Sequence, residues 1–236
     1  MLTRPAPGPD EVRRYGDGAD QLVEVFRGDA GAPERPLLVL IHGGFWRPGY
    51  DRIHLRPLAG ALRGAGRTVV SVEYRREPGD PDASTADIRA ALVTAAAVAG
   101  SPVVVVGHSA GGHLALWAAA VAPAPGLVGT VALAPVADLG AADRAALGDG
   151  AVRDFLGGSP DGRPDLDPVR LNTPDTPVLI VHGEWDAIVP AAQAYRYRQA
   201  HPRTELDVVP GAGHFSLIDP LGPAWKTVCD RLLTMT

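Results

Sequence analysis

The sequence holds one cysteine, Cys229, so no disulfide can form within the chain and a cysteine-based zinc module is excluded. Lysine is almost absent too: Lys226 stands alone, and arginine supplies the other basic residues, a bias that fits the excess of Ala, Gly and Pro and reads as coding composition. No basic run exceeds two residues and the net charge is −5, so nucleic acid is not an expected partner. No stretch of about 18 uninterrupted apolar residues is present, so a membrane is not an expected partner either. Residues Met1 to Asp10 carry three prolines and no apolar segment, which reads against a secretory signal and leaves the reducing cytoplasm as the default location. The remaining profile, 236 residues with 46% hydrophobic and 21% charged, fits one globular domain spanning 1–236. The sequence leaves the oligomeric state open.

Short apolar runs alternate with longer helical patterns. Strands are expected at Leu22–Phe26, Leu37–Ile41, Thr68–Glu73, Val103–Val106, Val128–Leu133, Val178–Val181 and Glu205–Val209. Several are unbroken Val/Ile/Leu runs, as in strands covered on both faces of a parallel sheet. Helices are expected near Arg52–Arg63, Ala83–Ala99, Ala110–Ala122, Pro190–Ala200 and Pro223–Leu233. The alternation predicts an α/β fold with a mostly parallel sheet of about 7–8 strands flanked by helices. Residues 135–177 are rich in Gly, Pro and Asp. They read as a short irregular cap-like insertion over the carboxyl edge of the sheet, with one or two short helices around Asp143 and Val152–Leu156.

The chemistry begins at Gly107-His108-Ser109-Ala110-Gly111, a G-x-S-x-G pattern between an expected buried strand and an expected helix. With six serines and 28 glycines in the chain, chance supplies about 0.08 such matches. A strand–turn–helix elbow forces its serine into a strained conformation and lifts the hydroxyl above the sheet, so its flanks must be small. Gly107, Gly111 and Gly112 meet that need. A second loop, His42-Gly43-Gly44-Phe45-Trp46, follows the strand Leu37–Ile41. Its glycines let backbone N–H groups turn toward a ligand, and fixed donors are what a developing oxyanion needs. The N–H groups of Gly44 and Ala110 are the candidate donors, with Gly43 or Phe45 in addition.

A serine hydroxyl needs a neighbouring base. On such elbows the acid and then the base follow the serine in chain order. Three histidines lie well downstream. His182 ends a strand and has no acid of suitable context before it. His201 closes a helix and reads as a surface C-terminal histidine. His214, in Gly211-Ala212-Gly213-His214-Phe215, sits on a loop able to carry an imidazole over the sheet edge. Asp186, just past Val178–Val181, is the candidate acid, with Glu184 and Asp138 as competitors. His113 reads as a buried hydrogen-bonded histidine, His42 and His108 as orienting loop backbone, Asp87 with Arg89 as a solvated helix face, and Trp117 as core. Phe45, Trp46, Trp185 and Phe215 flank the proposed loops and are candidates to line a substrate pocket.

These residues resemble the α/β-hydrolase superfamily over essentially the whole chain. The His42-Gly43-Gly44-Phe45-Trp46 form, and His214-Phe215 after Gly213, resemble its kynurenine formamidase (arylformamidase) branch of esterase/lipase-like hydrolases. That resemblance implies a Ser109, Asp186, His214 triad and cleavage of N-formyl-L-kynurenine to kynurenine and formate, with no cofactor and no metal. The residues themselves point to a serine hydrolase of a small-molecule ester or amide. A general carboxylesterase or peptidase-like hydrolase stays open as the alternative. So does a non-catalytic binding protein on the same fold.

Overall fold

The computed structural model describes residues 4–29, 35–98 and 102–235. Among them, eight strands build one sheet: β1 (Glu11–Arg14), β2 (Leu22–Phe26), β3 (Leu37–Ile41), β4 (Val69–Val72), β5 (Val103–His108), β6 (Leu127–Leu133), β7 (Val178–Gly183) and β8 (Glu205–Val209). Their spatial order is β1-β2-β4-β3-β5-β6-β7-β8. The six strands from β4 to β8 run parallel, and β1 and β2 are added antiparallel at one edge. The helices are α1 (Arg56–Gly64), α2 (Pro81–Ala96), α3 (Ala110–Val121), α4 (Leu139–Arg144), α5 (Leu147–Leu156), α6 (Ala192–Ala200) and α7 (Trp225–Thr234).

Side chains alternate across a strand, so an unbroken apolar run feeds two layers at once. Leu37, Val39 and Ile41 of β3, with Val103 and Val105 of β5, enter the layer shared with Leu92 of α2, Leu114 of α3 and Phe155 of α5. Leu38, Leu40, Val104 and Val106 enter the opposite layer with Leu58 and Leu62 of α1 and Val228 and Leu232 of α7. Helix α3 is buried on all sides from Ala110 to Ala119, which its Ala-rich, uncharged sequence permits.

All seven expected strands are present with ends shifted by two residues or fewer. Strand β1 was not expected: Glu-Val-Arg-Arg has too little apolar content to signal a strand, and it is held by pairing with β2. The helix expected from Arg52 opens with a 3-10 turn, Arg52–Leu55, whose Ile53 N–H donates to Asp51 at 2.9 Å. Ala99, the expected end of α2, lies outside the described residues. Residues 135–177 carry α4, α5 and three single 3-10 turns that start at Pro160, Pro164 and Pro168. Each proline fixes a turn-compatible φ and removes a ladder donor, so no strand forms among them. No helix among the described residues is long and apolar enough to cross a membrane.

Candidate active site

Loops that leave the carboxyl ends of β3, β5, β7 and β8 converge on one edge of the sheet, where ligands of open α/β sheets bind. Ser109 is the sharpest point there. It sits between β5 and α3 with φ 59° and ψ −118°, a conformation that costs a non-glycine residue about 1–3 kcal/mol and needs support on every side. The Ser109 N–H donates to Leu133 O at 2.9 Å, and its carbonyl accepts from His113 N at 3.0 Å and Val136 N at 3.3 Å. The flanking glycines are obligatory. A Cβ on Gly107 would lie 2.1 Å from Gly111 O, and one on Gly111 would lie 2.1 Å from Ile41 O. The serine hydroxyl is thereby held at the head of α3, where the unpaired helix N–H groups point.

The loop after β3 lies directly on this elbow. A Cβ on Gly43 would come within 2.8 Å of Ser109 Cβ, and Gly44 takes φ +112°, which favours glycine. His42 anchors the loop from below. Its Nε2 lies 2.9 Å from Glu73 Oε1, its Nδ1 lies 2.8 Å from Gly43 O, and its ring stacks on Tyr74 at 4.5 Å. The Tyr74 hydroxyl donates to His42 O at 3.0 Å. Glu73 is fully buried and also accepts from Arg52 N at 3.0 Å, Arg52 Nη1 at 3.1 Å and Arg76. Burial alone would raise its carboxyl, but the His42 hydrogen bond, then the charges of His42 and Arg76, hold it well below the usual range. A second buried carboxylate, Glu24, pairs with Arg52 at 2.8 Å and with Arg56. Nothing in the sequence pattern marks this network.

On the other side of Ser109, His214 Nδ1–H donates to Asp186 Oδ2 at 2.7 Å. The second oxygen of Asp186 accepts from Ile188 N at 2.9 Å and Val189 N at 2.8 Å. Burial would raise the Asp186 carboxyl. The His182 Nε2–H, 3.5 Å from Oδ2, the hydrogen bond from His214 and the charge His214 carries when protonated outweigh it and hold the group ionised well below its usual range. His108 Nε2–H donates to His214 O at 3.1 Å, and the two rings lie 4.6 Å apart. Burial, then the neighbouring His214, pushes His108 well below the usual imidazole range, so it stays neutral.

The other sequence candidates take different places. His182 is buried and donates to Val189 O at 2.8 Å, bracing the loop that carries Asp186. Asp138 caps α4, accepting from Ala141 N at 2.6 Å, and Glu184 accepts from Gly211 N at 2.9 Å. His113 is buried and donates to Leu166 O at 2.8 Å, as expected. Trp117 is core, also as expected. Two expectations are corrected. His201 is buried rather than on the surface, held by Thr173 Oγ1 and Pro168 O at 3.0 Å each, because 3-10 turns of the 135–177 segment cover it. Asp87 is buried rather than solvated, taken by Arg75 at 2.8 Å and Gln21 at 2.7 Å, while Arg89 lies over the Trp117 ring.

Ser109 and His214 line one cavity of about 120 Å³ with Gly44, Phe45, Tyr50, His54, His108, Ile188 and Phe215. Of the four aromatic candidates, Phe45 and Phe215 reach it. Trp46 does not: it is 2% exposed and stacks on Phe155 at 4.5 Å. Trp185 does not either, being 73% exposed beside Gly211. Tyr50, His54 and Ile188 were not singled out in the sequence, for they stand in no motif. Burial lowers His54 to about 4, so it meets a ligand as a neutral imidazole at neutral pH. A groove of about 290 Å³ opens elsewhere, between Thr173–Val178 and Arg203–Glu205 at the start of β7 and β8, and no serine, cysteine or histidine lines it.

Comparison with known proteins accords with this geometry. Residues 38–217 match the alpha/beta hydrolase fold family (Abhydrolase_3), and the chain belongs to it. It is 28% identical over 239 residues to the esterase LipC of Mycobacterium tuberculosis, covering 87% of this chain and 59% of that protein. It is 32% identical over 104 residues to the kynurenine formamidase of Danio rerio, covering 43% of this chain and 35% of that one. This chain thus spans less than two thirds of either relative. Esterase B of Lactobacillus rhamnosis superposes with a TM-score of 0.80 at 22% identity, over 97% of this chain and 86% of that one. Esterase 2 of Thermogutta terrifontis superposes with 0.74 at 21%, over 97% and 93%. At those identities the superpositions speak to the fold.

Proposed function

We propose that this protein is a serine esterase acting on a small, uncharged carboxylic ester through Ser109, His214 and Asp186. His214 Nε2 takes the Ser109 proton as Oγ bonds to the substrate carbonyl carbon, and the carbonyl electron pair moves onto oxygen. The N–H groups of Gly44 and Ala110, with Gly43, receive that oxyanion. The bond to the leaving oxygen then breaks, and that oxygen takes the proton from His214. Water, deprotonated by His214, attacks the acyl-serine, releases the acid and restores Ser109. Asp186 fixes the imidazole with its proton on Nδ1 and stabilises the imidazolium. In this reading the chain is a single α/β-hydrolase domain, and residues 135–177 form its cap.

One observation carries the reading: a strained serine at a helix head shares a cavity with a histidine whose far nitrogen is bonded to a buried carboxylate at 2.7 Å. An apolar cavity of about 150 Å³ holds a benzene ring, so one slightly smaller suits an acyl group of roughly two to four carbons. No lysine or arginine is among the cavity-lining residues, which favours an uncharged substrate.

The formamidase resemblance supports a second reading, arylformamidase activity on N-formyl-L-kynurenine, and the small cavity accommodates a formyl group. The amino-acid end of that substrate would meet no ionic partner among the lining residues, so the esterase reading is preferred. Turnover of N-formyl-L-kynurenine against p-nitrophenyl acetate and butyrate decides between them. A fluorophosphonate probe tests both against a non-catalytic binder. Labelling that is lost in Ser109→Ala is the expected result, and an unlabelled wild-type chain overturns the reading.

A further inference from the structure

We infer that the segment 146–155 is a clamp that sets the oxyanion loop in its working conformation, with Gly148, Phe155 and Arg47 as positioning residues for the reaction proposed above. The loop needs such a clamp. Gly44, Phe45 and Trp46 are three consecutive left-handed residues, at φ +112°, 52° and 54°, and neither Phe nor Trp adopts that region without compensation. The backbone bond within the loop, Arg47 N to Gly44 O at 3.0 Å, closes a turn but does not fix the aromatic side chains.

Each of the next three side chains is fixed from the same segment instead. The Phe45 ring rests on Gly148, where a Cβ would meet three of its ring atoms at 2.8–2.9 Å. The Trp46 ring stacks on Phe155 with planes 12° apart, and meets His113 edge-on at 5.1 Å. The Arg47 guanidinium donates to Gly148 O and lies 3.5 Å from Asp154. The clamp is itself shaped for the task. Ala146, Gly148, Asp149 and Gly150 are all left-handed, at φ 47°, 60°, 56° and 83°. That run brings the Gly148 carbonyl under Arg47 and leaves the Gly148 Cα bare against Phe45. An ordinary helical turn there would present a side chain. The expectation that Trp46 lines the pocket fails for this reason: its ring is the anchor by which the loop is held.

The consequence is chemical. Gly43 and Gly44 carry two of the three amides proposed to face the oxyanion, so a displaced clamp rotates those donors without touching Ser109, His214 or Asp186. Losing one such donor costs about 10²–10³ in kcat, and a partial rotation costs a fraction of that. The test uses the full chain with Gly148→Ala, Arg47→Met and Phe155→Leu, and with Lys226→Ala on the exposed face of α7 as control. The readouts are kcat and KM on p-nitrophenyl acetate, and the affinity of a trifluoromethyl ketone, whose serine adduct carries the oxyanion. The expected result is a kcat lowered about tenfold or more, with KM within about threefold and ketone affinity falling in parallel. Lys226→Ala keeps wild-type values.

Arg47→Met alters a partly exposed side chain, so it keeps the test open should a core variant misfold. Folded variants with wild-type kcat, or with KM raised at constant kcat, overturn the clamp. Failure of the underlying reading looks different: the wild-type chain then neither turns over the ester nor reacts with a fluorophosphonate.

Discussion

Asp186→Asn probes the proposed triad most directly, because the surroundings of Asp186 dictate which way the new amide points. Oδ1 of Asp186 accepts two backbone N–H groups, from Ile188 and Val189, and Oδ2 accepts His214 Nδ1–H. Two fixed donors must be met by the one oxygen of asparagine, since an NH2 there would face both N–H groups and leave them unsatisfied. The amide nitrogen is then turned toward His214 Nδ1. It can only donate, so His214 must accept at Nδ1 and carry its proton on Nε2. That tautomer cannot take the Ser109 proton. The expected loss in kcat is about four orders of magnitude, equivalent to about 5.5 kcal/mol of transition-state stabilisation, while the side chain keeps its shape. Stopped-flow hydrolysis of p-nitrophenyl acetate reads the rate, and circular dichroism melting reads the fold. A folded variant within about tenfold of wild type would refute the assignment of Asp186 as the group that sets the tautomer of His214.

Three other outcomes follow from the structure. Burial lowers His113 from 6.5 to about 4, so between those values the unfolded chain binds a proton that the folded chain excludes, and stability falls as pH drops through that window. Glu73 and Asp186 have depressed values, so their contribution is present above about 4 and is lost below it. Melting temperature measured from pH 7 to 2 checks both, and His113→Gln, which keeps a donor for Leu166 O, should flatten the upper part of the slope; an unaltered slope contradicts it. Gly111→Ala places a Cβ 2.1 Å from Ile41 O and 2.5 Å from His42 O, against backbone at the end of β3 that cannot give way, and should cost about 3 kcal/mol or more, seen as a much lowered melting temperature or loss of soluble protein. Ser109→Gly relieves the backbone at φ 59° where Ser109→Ala does not, so it should melt higher than the alanine variant by roughly 1 kcal/mol; equal melting of the two would mean the elbow is unstrained.

How far the sequence carries is visible residue by residue. Val103–Val106 and Leu37–Ile41 are legible because strands covered on both faces must be apolar at every position. The elbow is legible because Gly107 and Gly111 have no room for any side chain, so geometry leaves its trace in residue type. His214 and Asp186 are legible by elimination, each standing in a loop just past a readable strand. The charge network beneath His42 is not, because Glu24 sits in β2 and Glu73 just past the end of β4, where a charge looks like an exposed position. What compensates them in the interior is the arrival of Arg52 and Arg56 from the next stretch of chain after β3, joined by Arg76 three residues past Glu73. Asp87 and His201 mislead for the same reason: a polar residue on a helix reads as solvated until its distant partner is known. Tyr50 and His54 reach the cavity through loop geometry, for which one-dimensional patterns have no signature.

The sheet's two margins are unequal in what they can tolerate. The margin at β8 feeds the loop bearing His214, so any disturbance there reaches the imidazole within a few residues. The margin at β1 is four strands from β5, and that strand pairs with β2 alone. A surface tether belongs in the β1–β2 turn near Asp17, because the N-terminal segment is tied to the far margin: Arg4 pairs with Asp219, five residues past His214.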